Sequence, residues 1–152
     1  MKVLLINAVC GTGSTGHIVA DIWKALKDQG HEAKVAYGVG QGRIVDPEDQ
    51  ICFNNKVGYY THNLLAKLTD KTGMYSKRQT KALLKKIDEF QPDIIHLHNL
   101  HGYYINYPIL FEYLAKKDIP VVWTLHDCWA YTGHCAHFSY IQCSKWTNMC
   151  SS

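Results

Sequence analysis

The chain opens with Val3-Leu-Leu-Ile-Asn-Ala-Val-Cys-Gly-Thr-Gly-Ser-Thr-Gly16, and this stretch decides the fold. Residues 3–6 are uniformly apolar and branched, which predicts a buried strand. The glycines that follow predict a tight turn. Next comes an apolar stripe at helical spacing, which predicts a helix. Gly30 is the candidate C-cap at its end. The stripe consists of Ile18, Val19, Ile22, Ala25 and Leu26. The stretch therefore predicts a strand, a glycine turn and a helix.

The same alternation continues along the chain. Apolar runs at residues 33–37, 94–97 and 121–125 predict further buried parallel strands, and apolar stripes at helical spacing precede Pro92 and Pro120. Strands joined through helices form right-handed crossovers, so the sheet is open and parallel with helices on both faces. The fold class is α/β and Rossmann-like. The common strand order 3-2-1-4-5 would place the carboxyl ends of the first, fourth and fifth strands side by side.

Length and composition are those of one globular domain. The chain has 152 residues, 47% of them hydrophobic, which is enough for a sizeable core. Its net charge of +3 is too small to indicate nucleic-acid binding. No apolar stretch approaches the ~20 residues of a membrane span, and no cleavage site follows the short apolar run after Lys2. We therefore expect a cytoplasmic protein.

Polar side chains follow three of the predicted strands. Because parallel strands end at one edge of a sheet, these clusters predict a single crevice. In chain order they are the glycine loop with Gly11, Gly13, Ser14 and Gly16, the segment His96-Leu-His98-Asn99-Leu-His101, and the pair His126-Asp127.

The glycine loop has the spacing and context of a dinucleotide fingerprint, which favours NAD(P). That site also needs an acid at the end of the second strand to hold the ribose hydroxyls, and Tyr37-Gly-Val-Gly-Gln-Gly-Arg43 stands there instead. A different phosphate or polar ligand, or a purely structural turn, remains open. Ser14 and Thr15 are candidates to cap the following helix.

The histidines allow a catalytic and a structural interpretation. His126 and Asp127 are candidate catalytic residues because an imidazole and a carboxylate can transfer protons, although a capped strand end would look the same. His96 and His98 share one face of a strand, where neutral histidines are commoner than a metal pair, so no metal is predicted. His98, Asn99 and His101 are candidates to bind substrate.

Residues 128–152 form an irregular extension rich in aromatic side chains and cysteines. Cys128, Cys135, Cys143 and Cys150, with His134 and His137 as substitutes, could bind zinc, but the close cysteine pairs of zinc folds are missing. Free thiols and disulfides remain open, and cytoplasmic thiols stay reduced.

A basic segment lies between Lys56 and Lys86, with eight Lys or Arg residues against the single acid Asp70. Its local charge exceeds that of the whole chain. A solvated basic surface is one interpretation. Peripheral contact with the anionic inner face of a membrane is the other, because an apolar helix side precedes the lysines.

Three quoted motifs carry a resemblance to a known family: the opening stretch to His17, the segment Asp93-Ile-Ile-His-Leu-His-Asn-Leu-His-Gly102, and Trp123-Thr-Leu-His-Asp-Cys-Trp-Ala-Tyr-Thr-Gly-His-Cys135. They resemble the amino-terminal half of bacterial family 4 glycosyltransferases that build capsular and exopolysaccharides. The resemblance implies a GT-B enzyme that retains anomeric configuration, needs no cofactor, and moves sugar from a nucleotide-sugar to a polysaccharide or lipid-linked glycan.

The resemblance also implies roles for particular residues. The glycine loop would border the donor phosphates, His126 would face the donor sugar, Asp127 would lie beside the reaction centre, and His98, Asn99 and His101 would line the acceptor side. We expect residues 1–127 to be the acceptor-side domain, 128–152 to extend it, and a donor domain to be missing, so that these residues alone are inactive. The alternatives are an NAD(P)-dependent oxidoreductase domain and a zinc-stabilised binding module without catalytic activity.

Overall fold

Five parallel strands form one sheet in residues 1–133, 135–140 and 142–148, the part of the chain that the computed structural model describes. The strands are β1 (Lys2–Asn7), β2 (Glu32–Tyr37), β3 (Gln50–Cys52), β4 (Ile94–Leu97) and β5 (Val121–Trp123). Their order in the sheet is β3-β2-β1-β4-β5, which confirms the predicted order and the parallel α/β fold.

Helices cover the sheet on both sides. They are α1 (Gly13–Asp28), α2 (Lys56–Thr69), α3 (Lys77–Phe90), α4 (Tyr107–Ala115), and the one-turn helices α5 (Trp129–Thr132) and α6 (Lys145–Asn148). Among the residues described, no helix is both long enough and apolar enough to cross a membrane.

The central strand β1 supplies both halves of the core. Leu4 and Ile6 point to the side of α3 and α4, whereas Leu5 points to α1, and all three are fully buried. This alternation follows from the two-residue period of a strand, and each buried Leu or Ile contributes about 1.5–3 kcal/mol. A strand buried on both faces lies in the middle of the sheet, so its carboxyl end lies in the middle of the edge where the site forms.

Two predictions about the strands were wrong. The strand β3 was missed because it has only three residues, of which Ile51 alone is strongly apolar. The last strand ends at Trp123 rather than at Leu125, and it is not buried, since Val121 and Val122 are 42% and 50% exposed. β5 is the outermost strand of the sheet, and within the described part of the chain it pairs with β4 alone.

The buried face of α1 also differs from the predicted stripe. Ile18 is 42% exposed, while Trp23 is buried and its indole donates to the backbone oxygen of Ala33 and to Asp49. The N-cap residue of α1 is Thr12, and its side chain forms no capping hydrogen bond with the described residues. Ser14 and Thr15, the expected caps, lie inside the helix instead.

Candidate active site

The ends of β1, β4 and β5 are joined by hydrogen bonds into one edge, as predicted. The backbone N–H of Asn99, just after β4, donates to the side chain of Asn7 at the end of β1 (3.1 Å). On the other side, the N–H of Thr124, just after β5, donates to the carbonyl of Leu97 (2.9 Å). The three polar clusters of the sequence therefore lie along the same edge of the sheet.

The glycine loop is shaped by close backbone contacts. Gly11 has φ +62°, donates its N–H to Gly16 (3.1 Å), and lies so near the carbonyl of Arg43 that a Cβ would stand 1.8 Å from that oxygen. Gly16 packs on Val9 and on Gly11. Gly11 thus requires glycine for reasons internal to the fold, and a Cβ at Gly16 would lie only 3.1 Å from Val9 and 3.2 Å from the nitrogen of Gly11.

Gly13 differs from these two glycines. It has φ +64°, and no atom of the described residues lies within 4 Å of where its Cβ would be. Gly13 and Ser14 are exposed in the first turn of α1, whose N-cap makes no side-chain hydrogen bond. The open side of the loop is therefore the start of α1, where unpaired backbone N–H groups favour an anion.

Asn7 is a residue of the site that sequence reasoning missed. It is fully buried, and its amide donates to the carbonyl of Val9 (2.8 Å) and to the hydroxyl of Thr15 (3.4 Å) while its oxygen accepts from Asn99. One side chain thus fixes the glycine loop against the histidine segment. A polar residue that ends an otherwise apolar strand was the available signal.

Three histidines pack in a row on the sheet near this edge. The ring centroids of His96 and His98 are 4.1 Å apart, those of His98 and His126 are 5.3 Å apart, and His98 Nδ1 and His126 Nε2 share a hydrogen bond of 3.0 Å. His96 Nε2 is bonded to the hydroxyl of Thr124 (2.8 Å). The predicted candidates His98 and His126 are therefore direct partners.

Two histidines of the row, His96 and His98, are held in their neutral form. Burial, reinforced by the positive charge that His96 and His126 would carry, lowers the pKa of His98 to about 3. Burial and His126 also lower the pKa of His96. His98 Nε2 is buried and has no hydrogen-bond partner among the described residues. At neutral pH His96 and His98 are thus hydrogen-bonding groups that carry no charge.

His101 and Asp127 form the second pair of the site. His101 Nε2 donates to Asp127 Oδ2 (2.7 Å), and Asp127 Oδ1 accepts the N–H of Trp129 (2.9 Å). Burial by itself would raise the pKa of Asp127, but the hydrogen bonds from His101 and from the Trp129 N–H outweigh it and lower that pKa. An ionised carboxylate that binds Nε2 leaves Nδ1 of His101 as the nitrogen able to accept a proton.

A cavity of about 210 Å³ opens beside this pair and is lined by Thr72, His101, Gly102, Tyr103 and Trp129. The indole of Trp129 lies 5.5 Å from the imidazole of His101, measured between ring centroids. At ~30 Å³ per water molecule the cavity would hold roughly seven waters, about the volume of one sugar ring. An aromatic wall next to a proton acceptor suits a ligand with hydroxyl groups and an apolar face.

The backbone of Tyr103 is strained at this cavity. Its φ of +61° is unusual for a bulky residue, and its ring packs edge-on against Tyr59 (6.2 Å) and His62 (5.9 Å). The neighbouring Tyr104 is fully buried and donates its hydroxyl to the carbonyl of Asn99 (2.8 Å). Packing on both sides thus maintains a conformation of the kind that clusters at functional sites.

The structure offers no acidic residue at the end of β2 to hold the ribose of NAD(P). β2 ends in Tyr37, which is buried, and its hydroxyl donates to Gln50 (2.9 Å) and accepts the N–H of Gly42 (3.0 Å). The position that would hold the ribose of a dinucleotide is instead used to fold the loop after β2.

The cysteines do not assemble a metal site in the part of the chain that is described, where Cys128 and Cys143 are free thiols and no group of three potential ligands is close together. His134 and Cys150, also considered as zinc ligands, lie outside the described residues.

A five-stranded parallel sheet in the order β3-β2-β1-β4-β5, covered by helices on both faces, defines a Rossmann-like α/β domain. The model of Glycosyltransferase Family 4 matches residues 15–149, nearly the whole chain, and the chain belongs to this family. The match includes the histidine row, His101 and Asp127, whereas Gly11, Gly13 and Ser14 lie just before it.

The chain is also similar to an Escherichia coli (strain K12) protein, WcaC, which is assigned to colanic acid biosynthesis as a glycosyl transferase. The two are 23% identical over 163 aligned residues, which cover 99% of this chain and 38% of WcaC. The chain therefore spans well under half the length of that relative.

Proposed function

We propose that the protein is the acceptor-side domain of a glycosyltransferase that moves sugar from a nucleotide-sugar to a polysaccharide or lipid-linked glycan. The observation that carries the proposal is the His101–Asp127 pair, which opens on a cavity the size of a sugar at the carboxyl edge of the sheet. Family membership and the similarity to WcaC support the same class of reaction.

The reaction breaks the bond between the anomeric carbon and the diphosphate, forms a bond to the acceptor oxygen, and releases the proton of the acceptor hydroxyl. Nδ1 of His101 is suited to bind that hydroxyl and take its proton, because Asp127 holds the ring through Nε2. In this proposal Asp127 acts through His101, and His126 faces the donor sugar with its tautomer set by His98. The exposed start of α1 at Gly13 and Ser14 borders the donor phosphates.

The stereochemical outcome in this proposal is retention, in which the acceptor approaches on the face that the diphosphate leaves. We also propose that these 152 residues are inactive alone. The chain spans 38% of WcaC, and a transfer enzyme gains much of its rate by positioning both substrates.

Peripheral membrane contact is part of the same proposal, and the surface of α2 supports it. Val57, Tyr60, Leu64 and Leu68 recur at helical spacing and are each 59–75% exposed, which forms an apolar stripe on the outside of the protein. Lys56, Lys67 and Lys71 are exposed around it. An apolar stripe flanked by lysines is suited to the interface of an anionic membrane, such as the inner face of a cytoplasmic membrane.

The test of the transferase function uses the complete enzyme purified from its host, with a panel of radiolabelled nucleotide-sugars and a lipid extract of the same cells. We expect label from one nucleotide-sugar to enter the lipid or polysaccharide fraction, and NMR of the product to give the same anomer as the donor. Turnover of NAD(P)H with no sugar transfer from any donor would overturn the proposal in favour of an oxidoreductase.

A further inference from the structure

The inner side of α2 carries a buried titratable residue that the proposed chemistry does not use. His62 is 1% exposed, and it and Ala66 are the buried residues of this helix. Burial lowers the pKa of His62 to about 4, so the imidazole is neutral at neutral pH. Under these conditions the ring acts through hydrogen bonding and packing.

The His62 ring is held in one orientation. Its Nδ1 shares a hydrogen bond of 2.8 Å with the hydroxyl of Ser76, the N-cap residue of α3. Ser76 is itself fixed, because its carbonyl accepts both the N–H (2.9 Å) and the hydroxyl (3.0 Å) of the buried Thr80. The imidazole cannot turn without losing its bond to Ser76, so α2 presents a rigid ring on its inner side.

Tyr103 packs against this ring from the side of the candidate site. The ring centroids of Tyr103 and His62 are 5.9 Å apart at 72°, and those of Tyr103 and Tyr59 are 6.2 Å apart at 71°. Tyr59 and His62 are three residues apart on α2, so both face the same side. Edge-on aromatic pairs stabilise by more than the area they bury. Two contacts from α2 thus hold the Tyr103 ring.

The backbone that carries the Tyr103 ring forms one wall of the cavity beside His101. His101, Gly102 and Tyr103 line that cavity in succession. Gly102 has φ +130° and Tyr103 has φ +61°, so two residues of positive φ follow His101 directly. A tyrosine adopts this conformation where surrounding contacts hold it. The aromatic contacts of Tyr103 within the described part of the chain come from α2, so the turn after His101 depends on that helix.

We propose that His62 and Tyr59 are positioning residues for His101. They hold Tyr103 in its left-handed conformation, and the turn after His101 then places the backbone of that histidine so that Nδ1 meets the acceptor hydroxyl. Asp127 sets the direction of the imidazole, whereas α2 sets the position of the chain that carries it. The inference rests on the proposed transferase function and adds to it two residues that act through Tyr103.

Steady-state sugar transfer by the complete enzyme tests the proposal, with kcat and the KM for the nucleotide-sugar measured separately. His62→Ala and Tyr59→Ala should each lower kcat about tenfold to 100-fold, because a displacement of about 1 Å at a reacting group has effects of this size. The KM for the nucleotide-sugar should stay unchanged, since the proposed donor contacts lie at the start of α1. His62→Phe should recover most of the lost rate, because it returns a ring to the contact with Tyr103.

The matched control is Tyr75→Ala. The Tyr75 ring also packs edge-on against His62, with centroids 5.6 Å apart at 72°, but it forms no aromatic pair with Tyr103 among the residues described. This variant removes a contact of the same kind from the same histidine, so its loss of stability in urea should resemble that of Tyr59→Ala. Its kcat should remain that of the wild type, because the bond to Ser76 still holds the imidazole.

Three results would overturn the positioning role. An equal loss of kcat in Tyr75→Ala and His62→Ala would reduce the effect to the stability of the domain. Unchanged kcat in both His62→Ala and Tyr59→Ala would show that Tyr103 keeps its place without these contacts. A change confined to the KM for the nucleotide-sugar would connect His62 with donor binding instead.

A second measurement needs no turnover. In protein that contains isotope-labelled histidine, the NMR signals of the His101 imidazole are assigned from their absence in His101→Gln. His62→Ala should shift these signals and Tyr75→Ala should not, and unchanged signals in His62→Ala would overturn the inference. If the wild-type enzyme transfers no sugar from any donor, the proposed function fails, and the NMR comparison still decides whether α2 positions His101. If it transfers sugar while His62→Ala changes neither kcat nor these signals, the function stands and the positioning role fails.

Discussion

His101 Nε2 lies 2.7 Å from Asp127 Oδ2, although 26 residues separate the two in the sequence. The contact forms because β4 and β5 are neighbours and both chains continue beyond the same edge of the sheet. The second oxygen of Asp127 is bound by the N–H of Trp129, so the carboxylate cannot rotate away from the imidazole without losing both hydrogen bonds.

We expect Asp127→Asn in the complete enzyme to lower kcat about 100-fold to 10,000-fold, the usual range for loss of an oriented proton acceptor. KM for the acceptor should change little, since the cavity walls remain. His101→Gln should give a similar loss, and the double variant should be no slower than either single one, because the two residues act as a unit. The measurement is steady-state sugar transfer.

Glu112→Gln provides the control for a lost carboxylate, because Glu112 is exposed on α4 and pairs only with Lys116 among the described residues. Its rate should match that of the wild type. Additive losses in the double variant would show that His101 and Asp127 act independently and would contradict the pairing.

Much of the fold could be predicted from the sequence because strand and helix periods are local properties. The apolar run at residues 3–6 correctly predicted β1, and the segment at 94–97 correctly predicted β4. The face of α1 could not be predicted, since Ile18 and Trp23 both extend its apolar surface and only packing against β2 and Asp49 selects Trp23. β3 was too short to give a period.

The site could be predicted as a location but not as a set of partners. Polar residues after parallel strands must meet at one edge, so His98, His101, His126 and Asp127 were expected together. Which imidazole meets which partner depends on strand register and on the turn after Trp123, and neither can be read from spacing. The sequence therefore paired His126 with Asp127, whereas the structure pairs His126 with His98 and Asp127 with His101.

The buried histidines predict a stability that falls in acid. Burial lowers the pKa of His62 to about 4, and burial with His96 and His126 lowers that of His98 to about 3. Between those values and the ordinary 6.5, the unfolded chain binds protons that the folded chain does not. The free energy of unfolding should therefore decrease as pH drops through this window, by up to about 1.4 kcal/mol per pH unit for each histidine.

Urea unfolding at about pH 7 and about pH 5 checks this expectation. His62→Gln should be less stable than the wild type at the higher pH, because the hydrogen bond between the His62 ring and the Ser76 hydroxyl is altered, but its stability should depend less on pH. His31→Gln, which changes a surface histidine that is not buried, should keep the wild-type pH dependence. A pH dependence in His62→Gln as steep as that of the wild type would exclude His62 as a source.

The two glycines of the loop should respond differently to the same substitution. Gly11→Ala places a methyl group 1.8 Å from the carbonyl oxygen of Arg43 at a positive φ, so the free energy of unfolding should decrease by about 2 kcal/mol or more. Gly13→Ala has the positive φ but open space, and it should lose only about 1 kcal/mol. Thermal unfolding of the two variants measures the difference, and equal losses would mean that the contact with Arg43 is relaxed.

If α2 is the membrane-binding surface, substitutions on it should weaken binding of the protein to lipid vesicles. The probe is a vesicle of phosphatidylcholine in which about one third of the lipid is anionic phosphatidylglycerol, and the bound fraction is measured by sedimentation of the complete enzyme. Replacing Leu64 and Leu68 together by Ser should lower partitioning about tenfold or more, because two side chains that are 59% and 73% exposed no longer enter the interface. Lys67→Ala with Lys71→Ala should lower it only on anionic vesicles.

Two variants on α1 are matched to these substitutions. Ile18→Ser removes an apolar side chain that is 42% exposed on α1, and Lys24→Ala removes a lysine from the same helix. Both should bind vesicles as the wild type does, because neither residue belongs to the apolar stripe of α2 or to the lysines around it. If Ile18→Ser weakens binding as much as the change at Leu64 and Leu68, the protein associates with lipid through general hydrophobicity and α2 is not the contact surface.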